Sequence, residues 1–229
     1  MCGRYNLRIT SSELQEFFDL FRDVPFDWQP RYNIAPTQEV VAFRFDEDTA
    51  PRCPVLLRWG LIPSWAKDVQ VGSRMINARA ESVAEKPSFR AAFKRRRCII
   101  PATGYYEWKK AASGKAKQPY HIHREDDEPF GLAGLWERWS GGDGSDIESC
   151  TILTTDASEP LDEIHNRMPV ILHATDYDRW LDPLLQDKDD LLPLLVDGAY
   201  HELTATPIST TVNNPRNETP DCITPLEPP

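Results

Sequence analysis

Apolar residues recur along this chain in two registers. Over residues 10–21, TSSELQEFFDLF, Leu14, Phe17, Phe18 and Phe21 fall on one face at three- and four-residue spacing. That pattern predicts an amphipathic helix, opened by a capping box between Thr10 and Glu13. A second short helix is predicted over 88–96, with Phe89, Ala92 and Phe93 inward. Elsewhere the runs are strand-like: VVAFRF at 40–45, VLLRWGLI at 55–62, PYHIH at 119–123, FGLAGLWERW at 130–139, SCTILTTDA at 149–157 and MPVIL at 168–172. RCIIPATGYYEW, 97–108, reads as an extended segment interrupted at Pro101 and Gly104. Short helical patterns occur around 158–165, 175–182 and 187–196, and GKAKQ and SGGDGSD read as hairpin loops.

Many short strands with few helices predict an α+β fold around a curved antiparallel or mixed sheet. There is no repeat and no low-complexity linker, and proline is dispersed, so 1–229 reads as a single domain with ample material for a core. No run approaches the ~20 apolar residues that cross a bilayer. With no basic-then-apolar leader either, a cytosolic or nuclear protein is expected. The five cysteines (Cys2, Cys53, Cys98, Cys150, Cys222) are scattered and never in a C-x-x-C pair, which speaks against a disulfide framework and a zinc site. Cys53, Cys98 and Cys150 lie in or beside apolar runs and read as small buried hydrophobes.

The formal charge of −10 would ordinarily discourage a nucleic-acid partner, but its distribution changes the picture. Between Arg74 and Lys117 there are twelve Lys/Arg against three Glu, so that segment is +9 and the remainder −19. Such asymmetry suggests one face built for a polyanion on an acidic body; the structural alternative is a solvated basic helix and loop.

Four places hold polar groups that a plain core strand would not want. Cys2 stands directly before Gly3 and Arg4. Trimming of Met1, usual when the next side chain is small, would leave Cys2 with a free α-amine beside its thiol, a 1,2-aminothiol. Asn77, Arg79 and Glu81 share one side of the extended segment MINARAE by period two. Glu107 is embedded among aromatics in GYYEW; if buried there it would hold a raised pKa and donate protons near neutral pH. His165 lies at a helix end next to a strand, where it could simply favour the helix C-terminus. Glu107 could equally pair with Lys109 or Arg97, and Asn77 could hold a turn. His121 and His123 place two imidazoles on one strand face, but no acidic or Cys ligand stands at a zinc spacing.

Seven blocks occur in order: MCGRYNL, RYNIAPTQ, RWGLIPSWA, INARAES, PATGYYEWKK, IHNRMPVIL and VNNPRNETPDCITPL. Together they closely resemble the SOS response-associated peptidase (SRAP) family, the abasic-site processing proteins, over nearly the whole chain. The resemblance implies a barrel-like core with short peripheral helices and a monomer that needs no cofactor or metal. It also implies that Cys2, freed of Met1, traps the ring-opened aldehyde of an abasic site in single-stranded DNA. By the same resemblance Glu107 is the active-site acid, His165 a second proton shuttle and Asn77 the amide that orients sugar and amine. Arg4 and Arg79 match phosphate-binding arginines, and Trp65 an aromatic that packs on bases, although Trp65 also reads as a core residue beside Pro63. Two positions depart from the pattern: Asn166 stands where Asp is commoner, and Ala66 where some members carry a second aromatic.

Two rival readings stay open. Cys2 could be the nucleophile of a thiol peptidase activated by His165 and Glu107, an activity that could be limited to self-cleavage between Met1 and Cys2. Alternatively the chain could be a non-covalent single-strand-binding module in which Cys2 is incidental.

Overall fold

The computed structural model describes residues 2–20, 23–46, 50–110, 117–196 and 202–226. Five strands close a barrel: β3 (Glu39–Asp46), β4 (Ala50–Trp59), β6 (Arg97–Ala102), β9 (Phe130–Ser140) and β10 (Asp146–Asp156). β3 pairs with both β4 and β6, β6 with β9, and β9 with β10, all antiparallel; β10 returns to β4 in parallel and completes the ring. Closure buries both faces of some strands, which is why β6 is buried at all six positions and reads as a continuous apolar run instead of an alternation. Pro101 stays inside β6, opposite Gly131, so the interruption expected there does not occur.

The break falls at Thr103. Beyond it β7 (Gly104–Lys110) leaves the barrel for a second, antiparallel sheet, ordered β13 (Thr204–Pro207), β8 (Lys117–His123), β7, β1 (Tyr5–Leu7) and β2 (Arg31–Ile34). Gly104 opens β7 because a Cβ there would lie 2.1 Å from the His121 Nε2 atom. Three further short strands extend the barrel wall: β5 (Asn77–Arg79) and β11 (Arg167–Pro169) on β10, and β12 (Ile171–Leu172) on β9. The single strand expected at 168–172 is therefore two, on different partners.

The capping box of α1 (Ser11–Phe17) forms as expected, with Thr10 and Glu13 exchanging bonds. The helix stops short of residue 21: Leu14 and Phe18 enter the core, Phe17 is exposed, and Phe21 lies outside the described residues. Asp19 takes a positive φ of 49°, which turns the chain off the helix. α2 (Arg90–Arg95) and α4 (Lys188–Val196) fall as expected, and α3 (Tyr177–Leu181) covers the end of its pattern. The stretch 158–165 holds only a 3-10 turn, Leu161–Glu163. The loop SGGDGSD joins β9 to β10, whereas GKAKQ lies partly outside the described residues and ends within β8. No helix is long and apolar enough to cross a membrane among the described residues.

Candidate active site

The N-terminal strand sets the site. β1 is hydrogen-bonded between β2 and β7, with Tyr5 opposite Tyr105 and Asn6 opposite Gly104. The Tyr106 N–H donates to the Arg4 carbonyl at 2.9 Å, so the pairing continues toward the N-terminus. Carried one residue further, the same register brings Gly3 across from Glu107. Cys2 is fully enclosed and Glu107 is 4% exposed.

Two other segments converge on them. Asn77 begins β5, which lies parallel to β10 with Asn77 against Ile152. Its Nδ2 donates to the Cys2 carbonyl at 2.8 Å, and its buried Oδ1 has no partner among the described residues. His165 follows the 3-10 turn and precedes β11; its Nδ1 accepts the Arg167 N–H at 3.0 Å. With Nδ1 accepting, a neutral ring carries its proton on Nε2. Arg167 locks this turn in place. Its guanidinium grips both carboxylate oxygens of Glu81, at 2.7 and 2.9 Å, and also reaches Asp156 and the Thr154 carbonyl.

Burial raises the Glu107 pKa, and the neighbouring His165 imidazole pulls it the other way. Burial also pushes the Cys2 thiol far up, reinforced by the Glu107 charge. These interactions bring Cys2, Asn77, Glu107 and His165 together from four separate segments. Glu107 pairs with neither Lys109, which meets Glu163 at 3.0 Å, nor Arg97, whose guanidinium is buried against backbone carbonyls.

Three expectations change. The extended segment ends at Arg79, so Glu81 sits in a 3-10 turn bound to Arg167 and not in line with Asn77. Trp65 is 64% exposed, which removes the core reading. Of the twelve cations between 74 and 117, Arg96 pairs with Glu137, Arg97 is buried and Lys109 is paired. Lys115 lies outside the described residues, and the other eight, Arg79 among them, are exposed. Arg4 is only partly exposed, its Nη1 held by Asn33 Oδ1 at 2.7 Å and the Val212 carbonyl at 3.0 Å.

No group of three or more metal-binding side chains occurs among the described residues. His121 and His123 stack, with ring centroids 4.6 Å apart, but their nitrogens face Asn6, the Arg124 carbonyl and Thr206. The sequence reading missed Asn6, Asn33 and Glu218. All three lie within the ordered blocks, where polar side chains beside strand ends were the available signal.

A barrel with a second sheet that encloses a cysteine at position two is the frame to which the family comparison adds a class. The chain matches the SOS response associated peptidase (SRAP) family over residues 1–215 and belongs to it. It is 41% identical to the abasic site processing protein YoqW of Bacillus subtilis, over 97% of this chain and 99% of that one. It is 33% identical to the abasic site processing protein HMCES of Xenopus tropicalis, over 86% of this chain and 66% of that one. Among solved structures, a Bacteroides thetaiotaomicron protein superposes with a TM-score of 0.84 at 26% identity, over 99% of this chain and all of that one.

Proposed function

We propose that this protein captures the ring-opened aldehyde of an abasic site in single-stranded DNA as a covalent thiazolidine on Cys2. The observation that carries the reading is the convergence of an amide and a carboxyl on the chain's second residue, with an imidazole beside that carboxyl. Its relatives' names as abasic site processing proteins support the same substrate.

The chemistry follows from those groups once Met1 is removed. The α-amine of Cys2 adds to C1′ of the aldehyde to give a carbinolamine. Protonated Glu107 donates to the departing hydroxyl, which leaves as water, and an iminium remains. Sγ then attacks the same carbon while the thiol proton passes to the Glu107 carboxylate. That step restores the acid and closes a five-membered ring of C1′, N, Cα, Cβ and Sγ. An amine alone would stop at a Schiff base poised for strand cleavage; the sulfur makes the linkage stable and shields the lesion. Asn77 fixes the Cys2 carbonyl, and so the direction of the amine. His165 is the second proton carrier, placed to assist opening of the sugar to its aldehyde. Arg4 and Arg79 hold flanking phosphates, and the exposed Trp65 offers a stacking surface. The protein acts as a monomer and uses no cofactor.

A thiol peptidase acting on other proteins fits the electrostatics less well. Such enzymes stabilise a thiolate with a neighbouring cation, whereas burial and Glu107 both push the Cys2 thiol upward. Release of Met1 by the chain itself is compatible with capture and would be accessory to it. A purely non-covalent strand binder would hold intact and abasic strands equally. The deciding experiment mixes purified protein with abasic and intact single strands and resolves the products on a denaturing gel. An adduct confined to the abasic strand and absent in Cys2→Ala is expected; equal amounts from Cys2→Ala would sink the reading.

A further inference from the structure

The block VNNPRNETPDCITPL carries none of the groups assigned above, yet its polar atoms gather on one strand. Asn33 of β2 is fully buried. Its Nδ2 donates to the carbonyls of Val212, Asn214 and Asn217 at 3.3, 3.0 and 2.8 Å. Its backbone N–H meets Glu218 Oε1 at 2.7 Å, and the same oxygen accepts from the Tyr32 N–H. The other Glu218 oxygen pairs with Arg31 at 2.9 Å. The remaining acceptor of Asn33, Oδ1, takes Arg4 Nη1, whose second bond goes to Val212 O.

Arg4 is thus held on two sides by neutral oxygens. No carboxylate lies within ion-pair distance of it among the described residues, and its Nε is buried without a partner. Glu218, the nearby anion, is engaged by two backbone N–H groups and Arg31. A carboxylate clamp would orient a guanidinium and neutralise it. A carbonyl clamp orients it and leaves the charge for an anion from outside.

Resting on the reading above, we infer that Asn33 and Glu218 are positioning residues. Through them the segment around 212–218 orients Arg4 toward a phosphate of the strand whose sugar meets Cys2, and keeps Arg4 unneutralised.

The test measures binding of an intact single-stranded oligonucleotide by fluorescence anisotropy across a salt series, so that it does not depend on adduct formation. Glu218→Ala should weaken binding about tenfold and lower the slope of log Kd against log salt by about 0.7, one phosphate contact on a single strand. Arg4→Ala should do the same, and the double variant should be no worse than Arg4→Ala alone. Glu218→Gln keeps an acceptor for the two N–H groups and should retain the wild-type slope, a rescue that a merely destabilising change would not produce. If Glu218→Ala does not fold, Glu218→Asp, one methylene too short for the Asn33 N–H, takes its place with the same expectations. An unchanged slope, or independent effects of Glu218 and Arg4 in the double variant, would overturn the clamp. Failure of the wild type to form adduct on an abasic strand would count against the capture chemistry alone.

Discussion

Strand β7 carries a buried polar cluster on each face, and each is organised around an asparagine. Behind β7, Asn6 Nδ2 donates to Tyr106 Oη and His121 Nε2, both at 2.9 Å. Asn6 Oδ1 accepts from Thr103, and the Tyr106 hydroxyl donates to the Tyr32 carbonyl. Every polar atom of the Asn6 side chain is satisfied. In front, Asn77 makes one bond, to the Cys2 carbonyl, and its buried Oδ1 is left without a partner among the described residues. A buried acceptor without a partner costs about 1–3 kcal/mol. The difference teaches where to look for chemistry: the closed network has every side-chain bond of its asparagine made within the sheet, and the open one leaves an acceptor beside Cys2.

The largest expected effect separates the two faces outright. Glu107→Gln cannot deliver or recover a proton, so adduct formation should slow by roughly 10²–10⁴ in single-turnover assays. Relative to the wild type its melting temperature should hold or rise as pH climbs above the ordinary carboxylate range, because a buried carboxyl with a raised pKa loses stability in that direction. Near-wild-type kinetics would remove Glu107 from the mechanism. Asn6→Ala should do the reverse. It strips partners from Thr103, Tyr106 and His121, so urea unfolding should report a loss of about 2–3 kcal/mol, while the folded fraction still forms adduct at a near-normal rate.

Asn77→Ala is the sharper counterpart. One net hydrogen bond is lost and an orphan acceptor is removed with it, so stability should change by less than about 1 kcal/mol while the adduct rate falls. A loss as large as that of Asn6→Ala would erase the contrast. The smallest effect concerns pH. His121 Nε2 accepts from Asn6, so the ring must be neutral there. Burial pulls its pKa well below the usual imidazole range, with the charges of His123 and Arg8 acting in the same direction. Its contribution is therefore present above the unfolded imidazole value of about 6.5 and is lost as pH falls toward the folded value. The urea midpoint should drop more between pH 7 and pH 5 in the wild type than in His121→Gln; equal slopes would contradict this.

The front face was legible in the sequence for a chemical reason. Cys2, Glu107 and His165 are reactive types set in contexts that a core would not choose, and the ordered blocks joined them. The back face was not. His121 and His123 drew attention as a pair of imidazoles, but nothing in local spacing says that Asn6, 115 residues away, fills the bond. Strand patterns were read well where an apolar stretch fell within a single strand, as in β3, β8 and β9. They failed where tertiary pairing overrode the local pattern: Pro101 tolerated inside β6, MPVIL divided between two partners, and the extended run at 77 cut short by the pull of Arg167 on Glu81. The exposure of Phe17 is the same lesson on α1, whose helix ends at that residue.

Intact mass of the adduct formed on an abasic single strand tests the central claim most directly. The mass expected is that of the chain without Met1 plus the oligonucleotide, less one water, with the modification mapping to Cys2. An adduct that retains Met1, or an equally stable adduct formed by Cys2→Ala, would contradict it.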